Sequence, residues 1–229
     1  MGLKDDIEAE VRQILRDAWS EREGTVVPES ADLQLGNDGV WLDATILYAD
    51  MADSTDLVDR YKAQFAAEIY KVFLHCAAKI IRSEGGEITA YDGDRVMAVF
   101  LGNSKNTCAA RTALKINYAR THIINPAIKN QYSSTDYALK HVVGIDTSRV
   151  FVARTGIRGA NDLVWVGRAA NHAAKLAALS ADYQSRITGD VYDVLNASVK
   201  TSDGRSMWEQ VTWNEKNRRI YRSTWWWAI

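Results

Sequence analysis

Two aspartates stand where carboxylates could do chemistry. In Asp43–Thr55 a buried-strand pattern delivers Asp50 onto a polar turn that opens a helical pattern, and Tyr91-Asp92-Gly93-Asp94 is an acidic turn between two apolar runs. Either aspartate alone reads as a turn cap. Together, at the ends of buried strands and without His or Cys, they form a hard oxygen set that selects Mg2+ or Mn2+ over zinc. The turn Met51–Thr55 passes from strand to helix N-terminus, so its free N–H groups can receive phosphate oxygens. The Gly-Lys-Ser/Thr signature of a P-loop is missing, and the negative charge of Asp53 suits a cap or a supporting group better than a phosphate ligand. Later, Arg168, Asn171 and Lys175 fall at i, i+3 and i+7, which puts an amide between two cations on one helix face.

The elements that must position these groups follow from apolar periodicity. Apolar residues from Ile7 to Trp19 predict a helix over Asp5–Trp19 with one sticky face, packed on its own domain or on a neighbouring chain. Glu21–Gly39 reads as a polar connector. A long helix is expected from about Asp53 to Gly85-Gly86, with Val58, Tyr61, Phe65, Ile69, Phe73 and Ile80 on one stripe; His75 beside it reads as structural or solvated. Glu87–Tyr91 and Arg95–Leu101 predict a hairpin, which sets Asp94 at a strand end. Asn103 to about Asn130 predicts a helix that Pro126 weakens, with Ala109, Ala113, Ile116 and Ala119 inward. Tyr137–Asp146 and Arg149–Arg154 predict a strand pair, Gly156-Ile157-Arg158-Gly159 a loop, and Arg168–Leu179 an alanine-rich helix. The last third reads as strands around a short helix, closed by Trp225-Trp226-Trp227 as a packed lid or dimer contact. This order predicts an α+β fold, a ferredoxin-like split βαβ core with a largely antiparallel sheet and helices on one face.

With 229 residues and 47% hydrophobic content, the chain can bury one core of catalytic-domain size. We divide it into an N-terminal helix and connector, residues 1–39, and a catalytic domain, residues 40–229. A formal net charge of −1 advertises neither nucleic acid nor an anionic membrane. Cys76 and Cys108 read as reduced core thiols, and no apolar run approaches the roughly 18 residues of a membrane span. The expected setting is the cytoplasm.

Three stretches, in order, resemble the class III nucleotide cyclases. Leu47-Tyr48-Ala49-Asp50-Met51-Ala52-Asp53-Ser54-Thr55 resembles their Phe-Ala-Asp-Ile-x-Gly-(Phe or Ser)-Thr metal strand. Gly85-Gly86 through Gly93-Asp94 to Phe100 resembles the second metal hairpin, and Gly167-Arg168-Ala169-Ala170-Asn171-His172-Ala173-Ala174-Lys175-Leu176 resembles the Gly-x-x-Val-Asn-x-Ala-(Ala or Ser)-Arg helix. The match spans roughly residues 40–222. It implies a head-to-tail homodimer with composite sites, the metals held by one chain and the Asn171/Lys175 helix supplied by the other. Asp50 and Asp94, with the Met51 carbonyl, would hold two Mg2+ or Mn2+ ions. Asn171 would orient the ribose and Lys175 would stabilise charge on the α-phosphate; Ala52, Asp53, Ser54 and Thr55 would line the phosphate turn. Arg158 resembles the family's triphosphate arginine, and Lys216 is aligned with a residue that meets the terminal phosphate.

The departures concern the base. Adenylate cyclases place a lysine where this chain has Ala90 and an Asp or Thr where it has Val164; guanylate cyclases usually place Glu and a small residue there. Loss of a donor and an acceptor leaves purine edges unpaired. Tyr48 lies two residues before Asp50, hence on the same strand face, and replaces the common Phe. Tyr91 and Trp165 add bulk near the base-reading positions, which suits a pyrimidine. These features and the Asn-x-Ala-Ala-Lys variant resemble the uridylate cyclases of bacterial Pycsar antiphage defence, which convert UTP to cyclic UMP that activates a separate effector protein. Arg95 replaces the family's glycine after the second aspartate, and Lys175 replaces its arginine, keeping the charge without the bidentate fork. A cyclase specific for CTP, ATP or GTP, and a retired cyclase-like module that binds nucleotide, are the alternatives. An RNA-binding sheet is disfavoured by the acidic balance, and a diguanylate cyclase by the Gly85-Gly86-Glu87-Ile88 sequence.

Overall fold

A computed structural model describes residues 2–229, and one long strand, β2 (Asp38–Ala52), is the axis of the fold. Its odd residues Leu47, Ala49 and Met51 enter one apolar core, while Leu42, Ala44 and Ile46 enter another on the opposite face. A strand covered on both faces reads as nearly continuous hydrophobic sequence, which is why this stretch is so legible. On one flank β2 pairs antiparallel with β4 (Arg95–Phe100), itself paired with β3 (Glu87–Asp92). On the other flank it pairs antiparallel with β5 (Lys140–Ile157), from Gly39 opposite Ala153 to Ala52 opposite Lys140.

Beyond β5 the sheet continues through β7 (Ser185–Thr188), parallel to β5, then β11 (Arg218–Ser223) and β10 (Glu209–Trp213). The far half of β5 instead forms a hairpin with β6 (Ala160–Val166). A small separate ribbon joins β8 (Thr201–Ser202) to β9 (Arg205–Ser206). The result is the expected α+β fold with a mostly antiparallel sheet.

Helices cover both faces instead of one. The helices α3 (Ala63–Ser83) and α4 (Lys105–Tyr118) bury Ile69, Phe73, Ile80, Ala109, Ala113 and Ile116 against the Leu47 face. Opposite them, α6 (Arg168–Ala177) lays Ala169, Ala170 and Ala173 on the Ile46 face. Gly144 makes that approach possible, because a Cβ there would lie 2.1 Å from the Ala173 carbonyl oxygen. Gly85, at φ +79°, ends α3 as expected.

Several sequence expectations are revised. The single helix expected after Asp53 is two: α2 (Ser54–Arg60) stops at Tyr61, whose extended backbone lets its ring pack on Phe65 and Tyr137 while its hydroxyl donates to Asp136 at 2.5 Å. The expected strand pair at 137–154 is the unbroken β5, because Asp146, Thr147 and Ser148 look like a turn but anchor other elements. Inside the connector, β1 (Ser20–Glu23) pairs parallel with the start of β2 through wholly exposed polar residues. The N-terminal helix α1 (Leu3–Arg16) buries none of its residues; of the expected sticky face Trp19, beyond the helix, packs its ring on Phe151, and Asn37 ties the helix end by donating to the Ile14 and Asp17 carbonyls at 2.8 and 2.7 Å. Pro126 enters the first turn of α5 (Asn125–Gln131), which follows α4 through a π-helical turn over Ala119–Ile124, so the helical path is redirected and not ended there. The short helix α7 (Gly189–Asp193) follows β7, and the tryptophan run lies along α4, where Asn117 donates to the Thr224 and Trp225 carbonyls. No helix among the described residues is long and apolar enough to cross a membrane.

Candidate active site

The pairing of β2 with β4 brings the two aspartates together. Asp50 lies opposite Arg95, the last pair of that ladder, and Asp94 precedes Arg95 in the turn. Burial, then the neighbouring charge of Asp94, raises the Asp50 carboxyl to about 6. Met51, one residue past the last pair, buries its side chain in the α3/α4 core, so only its backbone belongs to this end of the sheet.

Arg95 sits among these acids. It donates to Asp92 at 2.6 Å, and its guanidinium lies 5.3 Å from the Tyr48 ring centre. Its Nε is buried without a partner. Sequence reading noticed Arg95 only as a departure; its position opposite Asp50 in the ladder follows from the hairpin register. Tyr48 is half-buried on the Asp50 face, and burial keeps its phenol protonated by holding it above the ordinary value, with Arg95 pulling the other way. A bulge between Ile88 and Ala90 turns Ala90 opposite Met97, which is opposite Tyr48, so Ala90 and Tyr48 share one row.

The turn after Asp50 is tied down by Lys140 and not by the expected side-chain cap. Asp53 adopts the left-handed conformation at φ 60° without a side-chain cap bond, and its carboxylate accepts from Lys140 at 3.0 Å. Ala52, Asp53, Ser54 and Thr55 run directly on from Asp50, with Ser54 and Thr55 opening α2. The helix behind this turn is the seven-residue α2, so the longer α3 contributes no dipole to it.

The remaining candidates lie elsewhere. Asn171 and Lys175 are exposed on α6, whereas Arg168 turns under the helix to Asp146 and leaves the face expected of it. Lys175 pairs with Glu215 at 2.7 Å and Lys216 with the same carboxylate at 3.5 Å, so the structure joins these two lysines. Val164 faces out of β6 opposite Ala153, which lies opposite Gly39 at the end of β2 far from Asp50. Its neighbours Leu163 and Trp165 turn into the α6 core that Tyr48 and Ala90 also rim. Arg158 is exposed at the tip of the β5/β6 hairpin, away from Asp50. One chain therefore assembles Tyr48, Asp50, Met51, Asp94 and the turn Ala52–Thr55 at one end of the β2/β4 ladder, and exposes Asn171 and Lys175 on α6, with Lys216 sharing the Lys175 partner Glu215.

Among the described residues, no three His, Cys, Asp or Glu side chains form a metal cluster. Two close carboxylates, one pushed up by burial and like charge, nevertheless fit Mg2+ or Mn2+, which keep several waters and take further oxygens from a bound phosphate. The same repulsion has a measurable consequence without metal. Because the folded carboxyl of Asp50 lies above its ordinary value, ionisation costs stability as pH rises through about 6. Asp50→Asn is therefore expected to melt about 2–4 °C higher than the parent at pH 8 in chelator, the shift for about 1 kcal/mol after discounting for partial exposure. The advantage should vanish near pH 4; equal melting at pH 8 would contradict the local electrostatics.

No protein-family model matches the chain. It is 55% identical over 231 residues to a uridylate cyclase of Xanthomonas perforans, covering the whole of both chains. It is 53% identical over 231 residues to one of Burkholderia cepacia, again at full length. Among solved structures, the adenylyl cyclase CyaB from P. aeruginosa matches 81% of this chain and 95% of its own with TM-score 0.66 at 19% identity, a likeness of fold. With its sequence shared end to end with such relatives and its sheet shared with the wider class, the protein belongs to the uridylate cyclases, enzymes of the class III nucleotide cyclase family.

Proposed function

We propose that the protein converts UTP to 3′,5′-cyclic UMP and pyrophosphate at composite sites of a head-to-tail homodimer. The observation behind this reading is the full-length relationship to uridylate cyclases. It is supported by the exposure of Asn171 and Lys175 on α6, where a second chain can meet them. In each site one chain contributes Asp50, the Met51 carbonyl and Asp94, and its partner contributes α6.

Asp50, Asp94 and the Met51 carbonyl would hold two Mg2+ or Mn2+ ions. When bound, these supply charge stabilisation on the phosphates and acidify the ribose 3′-hydroxyl. The 3′-oxygen bonds to the α-phosphorus, the bond to the pyrophosphate oxygen breaks, and the hydroxyl proton leaves to water. Asn171 orients the ribose for in-line attack, and Lys175 meets the charge that develops on the α-phosphate. Lys175 must leave Glu215 to do so, an exposed pair that is cheap to break. Ala52–Thr55, Arg158 and Lys216 serve the triphosphate. Ala90 and Val164 offer no hydrogen bond to a purine, and the Tyr48 phenol, kept neutral, can both donate to and accept from a uracil edge.

We take residues 40–229 as the catalytic domain, with β1 lending residues 1–39 an attachment to its sheet. Unpaired thiols at Cys76 and Cys108 suit a reducing cytoplasm. The product would act as a second messenger on a separate effector in antiphage defence. Incubation with UTP and Mn2+ is expected to release one pyrophosphate per cyclic nucleotide formed. A domain retained only for nucleotide binding would release none.

A further inference from the structure

Beneath α6 lies a buried ionic cluster that the proposed chemistry does not use. Asp146, on β5, is fully buried, and like Gly144 two residues earlier it faces α6. One carboxylate oxygen accepts from the Thr188 hydroxyl at 2.6 Å. The other lies 3.2 Å from Arg168 Nε and 3.1 Å from His172 Nδ1. Arg168 also donates to the Thr147 carbonyl at 2.6 Å and pairs with Asp190 at 2.5 Å, while His172 packs edge-on against Trp213.

We propose that Asp146 is a positioning residue that sets the rotation of α6 about its own axis, and so aims Asn171 and Lys175 at the substrate held by the partner chain. The inference rests on the composite-site reading given above. Arg168 and His172 are four apart and form one stripe of α6; Asn171 and Lys175, also four apart, form the adjacent stripe about 60° away. Fixing the first stripe fixes the second. The packed face of α6 is mostly alanine, which permits close approach but gives few knobs to lock the helix azimuth. A turn of about 20° would swing a side-chain tip by about 2 Å at the roughly 6 Å helix radius. Displacement on that scale is enough to cost about a hundredfold in rate. A fully buried carboxylate is a poor choice for stability alone, since an apolar residue of like size generally does as well.

The experiment is steady-state kinetics of Asp146→Asn with UTP and Mn2+, and of Arg168→Gln as a second variant at a half-exposed position. Both are expected to lower kcat by about 10- to 100-fold with KM changed less than about threefold. A merely structural role would lower the melting temperature while leaving kcat per folded site unchanged, and kcat within twofold of the parent in both variants overturns the proposal.

Mixed dimers locate the defect. Co-assembled with Asp50→Ala chains, Asp146→Asn chains should regain one intact site, because the partner supplies a normal α6; with Asn171→Ala chains they should not. Recovery with Asn171→Ala would place the defect on the metal side and also overturn the proposal. Failure of the Asp50→Ala and Asn171→Ala pair itself to complement would instead reject the composite-site reading.

Discussion

Asp50→Ala and Asp94→Ala are each expected to abolish cyclisation, by at least about a thousandfold, while the chain stays folded and dimeric. The two carboxylates are the only acidic side chains assigned to the ions, and an ion contributes several kcal/mol of transition-state charge stabilisation, with each 1.4 kcal/mol worth tenfold. The fold does not depend on them. Asp50 is half-buried at the last β2/β4 pair and carries a raised carboxyl, so its removal relieves a cost. Asp94 sits in a turn outside both strands. Pyrophosphate release and size-exclusion chromatography on the same preparations separate the two effects. An active Asp50→Ala protein would sink the metal assignment.

The second large effect is recovery. Asn171→Ala should be as silent as Asp50→Ala when each is assayed alone, yet a one-to-one mixture of the two chains should regain about a quarter of the parent rate. Half of randomly assembled dimers are mixed, and each mixed dimer has one site with intact aspartates from one chain and an intact α6 from the other. Within one chain, α6 lies over Gly144 and presents Asn171 and Lys175 outward, the latter paired with Glu215. Verified mixed dimers with no recovery would count against a composite site and favour one assembled inside a single chain.

The chemistry-bearing strand was legible because β2 is buried on both faces and ends abruptly in acid, and the hairpin was legible from Asp92-Gly93-Asp94. What escaped sequence reading has a common physical origin: polar residues serving tertiary contacts imitate turns. Asp146-Thr147-Ser148 read as a break between strands. In the structure all three stay in β5 and grip other elements: Asp146 faces Arg168 and His172, the Thr147 carbonyl accepts from Arg168, and the Ser148 hydroxyl accepts from the Ala169 N–H. The helical spacing of Arg168, Asn171 and Lys175 was real, yet spacing does not reveal a buried anion, and Asp146 draws Arg168 off the shared face. Strand β1 has no apolar alternation because it is an exposed edge, and the stop at Tyr61 depends on Tyr137, far along the chain. The candidate residues of β2 and of the turn before β4 could be found from local pattern; how α6 is held could not.

The most direct test of the account is to offer the purified protein an equimolar mixture of UTP, CTP, ATP and GTP with Mn2+ and identify the products by mass spectrometry. Cyclic UMP as the dominant product is the expected result. It would tie the loss of hydrogen-bonding side chains at Ala90 and Val164, and the phenol of Tyr48, to selection of a pyrimidine. Cyclic AMP or cyclic GMP as the dominant product would contradict that reading of the base site while leaving the cyclase chemistry intact, and no cyclic product would contradict the chemistry itself.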